Sequence, residues 1–452
     1  MRKIKNLTLS LIALLQLLSC GGSGGNATPE PTPEPEPEPV PETSLMVTVR
    51  STGTELTSLD TDFKPFDEVL VVKSNKDWSA ESTEDWVKIE KTSSILANLV
   101  VKVNVTGKTR TATLTLKTED GKKTLTIPVT QGFTDKIAKA DFSDMLLLES
   151  DRSEIDYKGF MLYNKDGRVQ WLFDAFIPSR SRYNDQYVGS ANMTKEIMTA
   201  FLDGYFEDGQ WLSTIDKVAG DLKSTIPGKF YRKKILIAIP PTTNKDWGEV
   251  DGVALHPSDD DKAGQADRVA VSKWFVDETL DRFALKDYDN LQLIGFYWQE
   301  EAGYVGEENG MKIADYVHSY GLNFYWIPWF NSYNNTAWKK YGFDAAWLQP
   351  NYLFYEEQYP DKNQLYKAYD KATAHGMYLE MELDNLRSLQ RQIEYWDVYE
   401  EKGVLKDWPL TYYVNGSMFP ARDNITDPDW KAFHQRMAKD IADRQKRFYN
   451  YE

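Results

Sequence analysis

Two places along the chain bring carboxylates together in a way suited to acid–base chemistry: Trp298-Gln299-Glu300-Glu301 and Glu380-Met381-Glu382. Cleaving a glycosidic bond takes one protonated carboxyl, to donate to the leaving oxygen, and one ionised carboxylate, acting as nucleophile or base across the sugar. In the second segment a period of two sets Glu380 and Glu382 on one strand face and Leu379, Met381 and Leu383 on the other, as in a half-buried strand rather than a solvated loop. Aromatic and amide side chains recur at the ends of the neighbouring apolar runs. Asp174, Tyr297, Trp298, Gln299, Trp326, Trp329, Asn331, Trp347, Gln349, Asn351 and Tyr413 are the candidate ligand contacts. Sugars offer apolar C–H faces for stacking and hydroxyls for amide and carboxylate hydrogen bonds, so this set suits an oligosaccharide or polysaccharide cleft.

Other chemistries find less support. Gly21-Gly22-Ser23-Gly24-Gly25 has the spacing of a nucleophile elbow, but no strand precedes it and no helix follows. Ser258-Asp259-Asp260-Asp261 lacks alternate-position ligands and a closing Glu, so it reads as loop charge rather than a calcium site. The four His residues are scattered and there is one Cys, so neither a metal site nor a cofactor is expected. With 53 Lys and Arg against 69 Asp and Glu, the net charge of −16 argues against nucleic acid. Arg180 and Arg182 are placed to pair with an acidic sugar, although exposed loop arginines more often serve as surface charge.

Eight short apolar runs, at 145–149, 169–177, 233–239, 291–298, 322–328, 343–349, 377–383 and 410–414, must position these residues. Helical patterns follow most of them, at 268–285, 311–319, 365–375, 386–401 and 430–448, and Gly321, Gly342 and Gly376 each stand just ahead of a strand. Helix–Gly–strand repeats imply a parallel sheet, and eight imply a closed TIM-like (β/α)8 barrel over residues 134–452, with its chemistry at the carboxyl ends of the strands. The link at 150–168 reads as a hairpin around Asn164-Lys165-Asp166-Gly167 rather than a helix. An open doubly wound sheet is the alternative, but its Gly-rich first turn is missing.

The 452 residues exceed one core. Residues 1–19 have a basic start and an apolar stretch too short to span a bilayer, ending in Leu-Leu-Ser-Cys. Residues 20–43 form a tether, first Gly/Ser-rich and then alternating Pro with Glu, which favours a stiff extended rod. Residues 44–133 hold short alternating strands at 45–49, 68–72, 99–105, 112–116 and 124–130, with a hairpin signal at Glu119-Asp120-Gly121-Lys122, as in a small β-sandwich. The chain is multidomain. Trp78 and Trp86 are each expected to fill the sandwich core ahead of stacking on a sugar.

The Leu-Leu-Ser-Cys segment resembles the bacterial lipobox, which implies cleavage before Cys20 and acylation of its sulfur. The lipid would be the only membrane contact, placing the protein at the outer membrane, on its periplasmic face or the cell surface. Trp78, Trp86, Thr109-Arg110-Thr111-Ala112 and Ile127-Pro128-Val129-Thr130-Gln131 resemble the immunoglobulin-like BACON domain of Bacteroidetes glycan-utilisation proteins. Residues 134–452 are similar to an uncharacterised barrel family of Bacteroidetes lipoproteins, through Leu172-Phe173-Asp174-Ala175-Phe176 and Gly295-Phe296-Tyr297-Trp298-Gln299-Glu300. The carboxylate positions resemble those of retaining (β/α)8 glycoside hydrolases. That resemblance implies Glu300 as acid/base, with Gln299 where the family has Asn, and Glu382 as nucleophile; Glu301 and Glu380 are the fallbacks. The expectation is a retaining glycoside hydrolase, and the alternative a non-catalytic surface glycan-binding protein on a degenerate barrel.

Overall fold

The computed structural model describes residues 41–302, 307–415 and 425–451. Cys20, the leader and most of the tether lie outside the described residues. Strands β1 (Leu45–Val49), β2 (Leu59–Thr61), β3 (Phe66–Ser74), β4 (Trp78–Ser82), β5 (Val87–Lys91), β6 (Leu96–Val101), β7 (Arg110–Thr118) and β8 (Thr124–Gln131) build the sandwich. They form two four-stranded sheets, β1-β3-β6-β5 and β2-β8-β7-β4. The alternation along β7 buries Ala112, Leu114 and Leu116 against Val47, Leu70, Val72 and Ile127 of the same core. Trp78 lies in this core, with its Nε1 donating to the Ser94 carbonyl at 2.8 Å, and Trp86 lies under the Arg110 guanidinium, 4.3 Å from its ring centroid. The expected hairpin joins β7 to β8, with Gly121 at φ 68°.

The barrel strands are β9 (Asp144–Leu148), β10 (Ala175–Pro178), β11 (Lys233–Ile239), β12 (Leu291–Trp298), β13 (Asn323–Trp326), β14 (Ala345–Leu348), β15 (Tyr378–Asp384) and β16 (Leu410–Asn415). They pair in that order and close, with β16 parallel to β9. Around them run α1 (Glu154–Met161), α2 (Lys195–Phe206), α3 (Trp211–Lys223), α4 (Lys262–Lys286), α5 (Glu307–Ser319), α6 (Asn363–His375), α7 (Leu389–Glu401) and α8 (Pro428–Tyr449). Asp261 caps α4 by accepting from the Gly264 N–H at 2.7 Å, and Gly376 ends α6 at φ 63°.

The first unit departs from expectation in two ways. The 150–168 link contains α1, capped by Ser153, before the expected hairpin, in which Asp166 and Gly167 take positive φ. The apolar run at 169–177 is two strands rather than one: Arg168–Trp171 closes the hairpin, and β10 starts only at Ala175.

The barrel interior is filled by Met145, Leu147, Ile177, Leu236, Ile294 and Ile327 with Tyr297, Tyr325 and Trp347, while a larger layer lies between the strands and the helices. The sandwich is packed onto the barrel. Val103 and Val105 join the outer layer, and Lys64 and Lys136 both pair with Asp287 at the end of α4, at 3.1 and 2.7 Å. Among the described residues no helix is long and apolar enough to cross a membrane.

Candidate functional site

A cleft of about 410 Å³ opens at the carboxyl ends of the barrel strands. Its acids are Glu149, directly after β9, and Glu300 and Glu301, just beyond β12. Ser179, Ser181 and Ser190 line one side, and Trp329, Gln349, Asn351 and Tyr355 another. The Trp329 and Tyr355 rings lie 6.4 Å apart at 36°, an aromatic wall of the kind a sugar face stacks on. Asn351, held at φ 56°, accepts from the Phe330 N–H at 2.7 Å and donates to Gln349 Oε1 at 3.2 Å, which fixes both amides. Tyr413 reaches Glu149 from β16, donating at 3.0 Å.

Glu301 is the most perturbed acid lining the cleft. Half-buried, it receives the Tyr297 hydroxyl at 3.2 Å. Burial pushes its carboxyl up to about 7; Gln349 and Tyr297 oppose that shift, and the charges of Glu149 and Glu300 add to it. Behind it lies Glu380, 1 % exposed on β15, with no hydrogen-bond partner for Oε1. Burial and the neighbouring Glu301 and Glu382 hold Glu380 well above the usual carboxylate range. Among the described residues no three His, Cys, Asp or Glu side chains gather to hold a metal ion.

Residues 149–439 match a family model described as "Domain of unknown function (DUF4855)". The chain belongs to the DUF4855 family. Residues 76–132 match the BACON model, described as "Putative binding domain, N-terminal". Among solved structures the chain is similar to a Bacteroides ovatus GH5 xyloglucanase in complex with a XXXG heptasaccharide, at 12% identity over 87% of this chain and 99% of that one, with a TM-score of 0.30. It is also similar to EndoBT-3987 of Bacteroides thetaiotaomicron in complex with Man9GlcNAc2Asn, at 9% identity over 85% and 93% of the two chains and a TM-score of 0.30. At those scores neither likeness carries an argument about the site. No curated protein matches the chain.

Within the DUF4855 barrel the expected contacts divide. Gln299, Glu300, Trp329, Gln349 and Asn351 line the cleft, and Tyr297 lies buried beside it in the barrel interior. Gln299 is turned toward β10, donating to Ser179 Oγ and the Arg180 carbonyl at 3.1 Å each. Asn331 is exposed and donates to Tyr359 at 2.8 Å outside the lining, and Tyr413 acts through Glu149.

Five expectations need correction. Trp298 and Trp326 each follow an inward-facing tyrosine, so the period of two turns them outward into the layer beneath the helices, where Trp326 stacks on Phe343 at 5.4 Å. Trp347 faces inward but at the opposite end of the barrel, stacked on Phe142 at 5.6 Å, with Nε1 donating to the Pro409 carbonyl at 3.0 Å. Asp174 precedes β10 rather than ending it, and its carboxylate accepts from the Ser143 and Asp144 N–H groups at the amino end of the barrel. Glu382 is 2 % exposed and does not line the cleft. Its carboxylate is taken up by the Tyr395 hydroxyl and the Leu353 N–H, the latter at 3.1 Å, so it braces the β14–α6 loop against α7. The Glu300 and Glu382 pair is therefore not assembled across the cleft.

Sequence reasoning missed Glu149, Tyr355 and the three serines. Glu149 ends the first apolar run, and reading that strand's end as the others were read would have found it. The serines sit in loops with no periodic signal.

Proposed function

We propose that the barrel cleft binds a glycan and hydrolyses one of its glycosidic bonds, with Glu301 as the proton donor. The observation that supports this is a cleft carboxyl shifted to about 7, close enough to Glu149 and Glu300 to feel their charges and beside the Trp329 and Tyr355 wall. A carboxyl that keeps its proton near neutral pH can donate to a leaving oxygen, and Glu149 or Glu300 is the second carboxyl that such a cleavage needs. Glu382 holds the loop that carries Asn351. The test is reducing-sugar release from a glycan panel by the wild type and by Glu301→Gln. Release by the wild type and its loss in the variant supports the assignment; equal release by both removes Glu301 from the chemistry.

The second reading is a non-catalytic glycan-binding protein. It draws on the withdrawal of Glu382, which leaves the cleft without the strand-seven carboxylate of the retaining hydrolases. Binding to the same panel without bond cleavage favours it. We further propose that Cys20 is acylated and anchors the protein at the outer membrane, on the periplasmic face or the cell surface. Fatty-acid labelling that persists in Cys20→Ala contradicts the anchor.

A further inference from the structure

The charge of the cleft narrows the class of glycan it takes. Its described lining carries three carboxylates, Glu149, Glu300 and Glu301, and no Lys, Arg or His. Recognition of uronates or sulfated sugars relies on cations, most often Arg forks, facing the anion.

The two arginines on the nearby loop are turned to other work. Arg180 donates from Nε to the Arg182 carbonyl at 3.1 Å and from a terminal nitrogen to the Ala200 carbonyl at 3.4 Å, with its guanidinium 5.3 Å from the Phe201 ring centroid. That guanidinium fills the space over Gly204, where a Cβ would stand 2.8 Å from it. Arg182 donates to the Asp185 carbonyl at 3.1 Å. The remaining polar lining consists of hydroxyls and amides, which bond uncharged sugar hydroxyls.

We propose that the cleft selects glycans that are uncharged or bear amines, and rejects those bearing carboxylates or sulfates. This rests on the glycan reading of the cleft given above. An anionic sugar placed against Glu149 and Glu300, joined by Glu301 as that carboxyl ionises near pH 7, meets like charge in a partly desolvated site, with no cation among the described lining residues to offset it. An amine-bearing sugar would instead offer Glu149 or Glu300 a charge-assisted donor.

The test is a glycan array probed with the full chain, spanning neutral, amine-bearing, uronate and sulfated oligosaccharides, followed by calorimetry on the hits at about 0.05 M salt, where surface charge is weakly screened. We expect hits among neutral or amine-bearing glycans, with uronate and sulfated analogues of the same backbone bound at least tenfold more weakly. Replacing Glu149 and Glu300 together by Gln should narrow that gap, and Trp329→Ala should abolish binding of the hits. Uronate or sulfated glycans bound as tightly as neutral ones, in a manner that Trp329→Ala abolishes, overturn the class while leaving the glycan reading intact. No hits at all, or hits unaffected by Trp329→Ala, overturn the glycan reading of the cleft and this inference with it.

Discussion

The two ends of the barrel bury the same kind of group in opposite ways. At the amino end Asp144 accepts from Arg444 Nε at 2.7 Å, Tyr412 at 2.8 Å, Ser143 Oγ at 2.6 Å and Gln445 at 3.0 Å. Beside it Asp174 accepts from Gln445 at 3.1 Å and Tyr449 at 2.7 Å as well as from two backbone N–H groups. At the carboxyl end Glu301 and Glu380 feel each other's charge and those of Glu149 and Glu382, with no cation among the described residues lining the cleft and with one oxygen of Glu380 unbonded. Both places would read in a sequence as buried acids. The saturated pair is structural, whereas the unsaturated cluster stores a cost that a fold has no reason to keep unless it is used.

The comparison can be broken by experiment. Glu301→Gln should lower cleavage of a responsive glycan by about 10²–10⁴-fold while leaving the urea midpoint unchanged or higher; a lower midpoint would make the mouth as structural as the base. Arg444→Ala should cost about 3–5 kcal/mol in urea unfolding, since it strands a buried Asp144, and a cost below about 1 kcal/mol would end the contrast from the other side.

Stability against pH sharpens it further. Glu301 and Glu382 are raised to about 7 and Glu380 is raised as well, so the folded state keeps protons that the unfolded chain gives up near its ordinary carboxylate pKa. Their favourable contribution is complete below about pH 4.5, and that of Glu301 and Glu382 is lost as pH rises through about 7. Urea midpoints measured from pH 4.5 to 8 should therefore fall. The last expected effect is Glu380→Gln, which should raise the urea midpoint near pH 8 and lose that gain as the pH is lowered; a loss at pH 8 would show that the buried acid is structurally required.

The barrel was legible because each of its units repeats the same grammar. Runs such as 233–239 and 291–298 coincide with β11 and β12, and the Gly before β15 ends a helix as expected. The site was less legible, for two physical reasons. A strand end exposes alternate residues to opposite faces, so one aromatic per strand belongs to the cleft side and its neighbour to the helix layer, as Tyr297 and Trp298 show. The inward face also has two ends, and composition cannot tell Trp347 at the base from Gln349 in the cleft. Misreading β10 by a few residues was enough to carry Asp174 from one end to the other. For Trp78 the sequence reading agrees with the structure, because a sandwich of this size needs a large side chain at its centre.

The partners of Asp144 also have a kinetic meaning. Arg444 stands 300 residues further along the chain, and β9 completes the barrel only by pairing with β16. Almost the entire barrel sequence must therefore leave the ribosome before the ring can shut and its buried aspartates find their partners. Contacts of such separation form slowly, so the nascent chain remains open for much of its synthesis. For a polypeptide proposed to be acylated at Cys20, near the start of the chain, that delay leaves the anchor end complete long before the barrel can close.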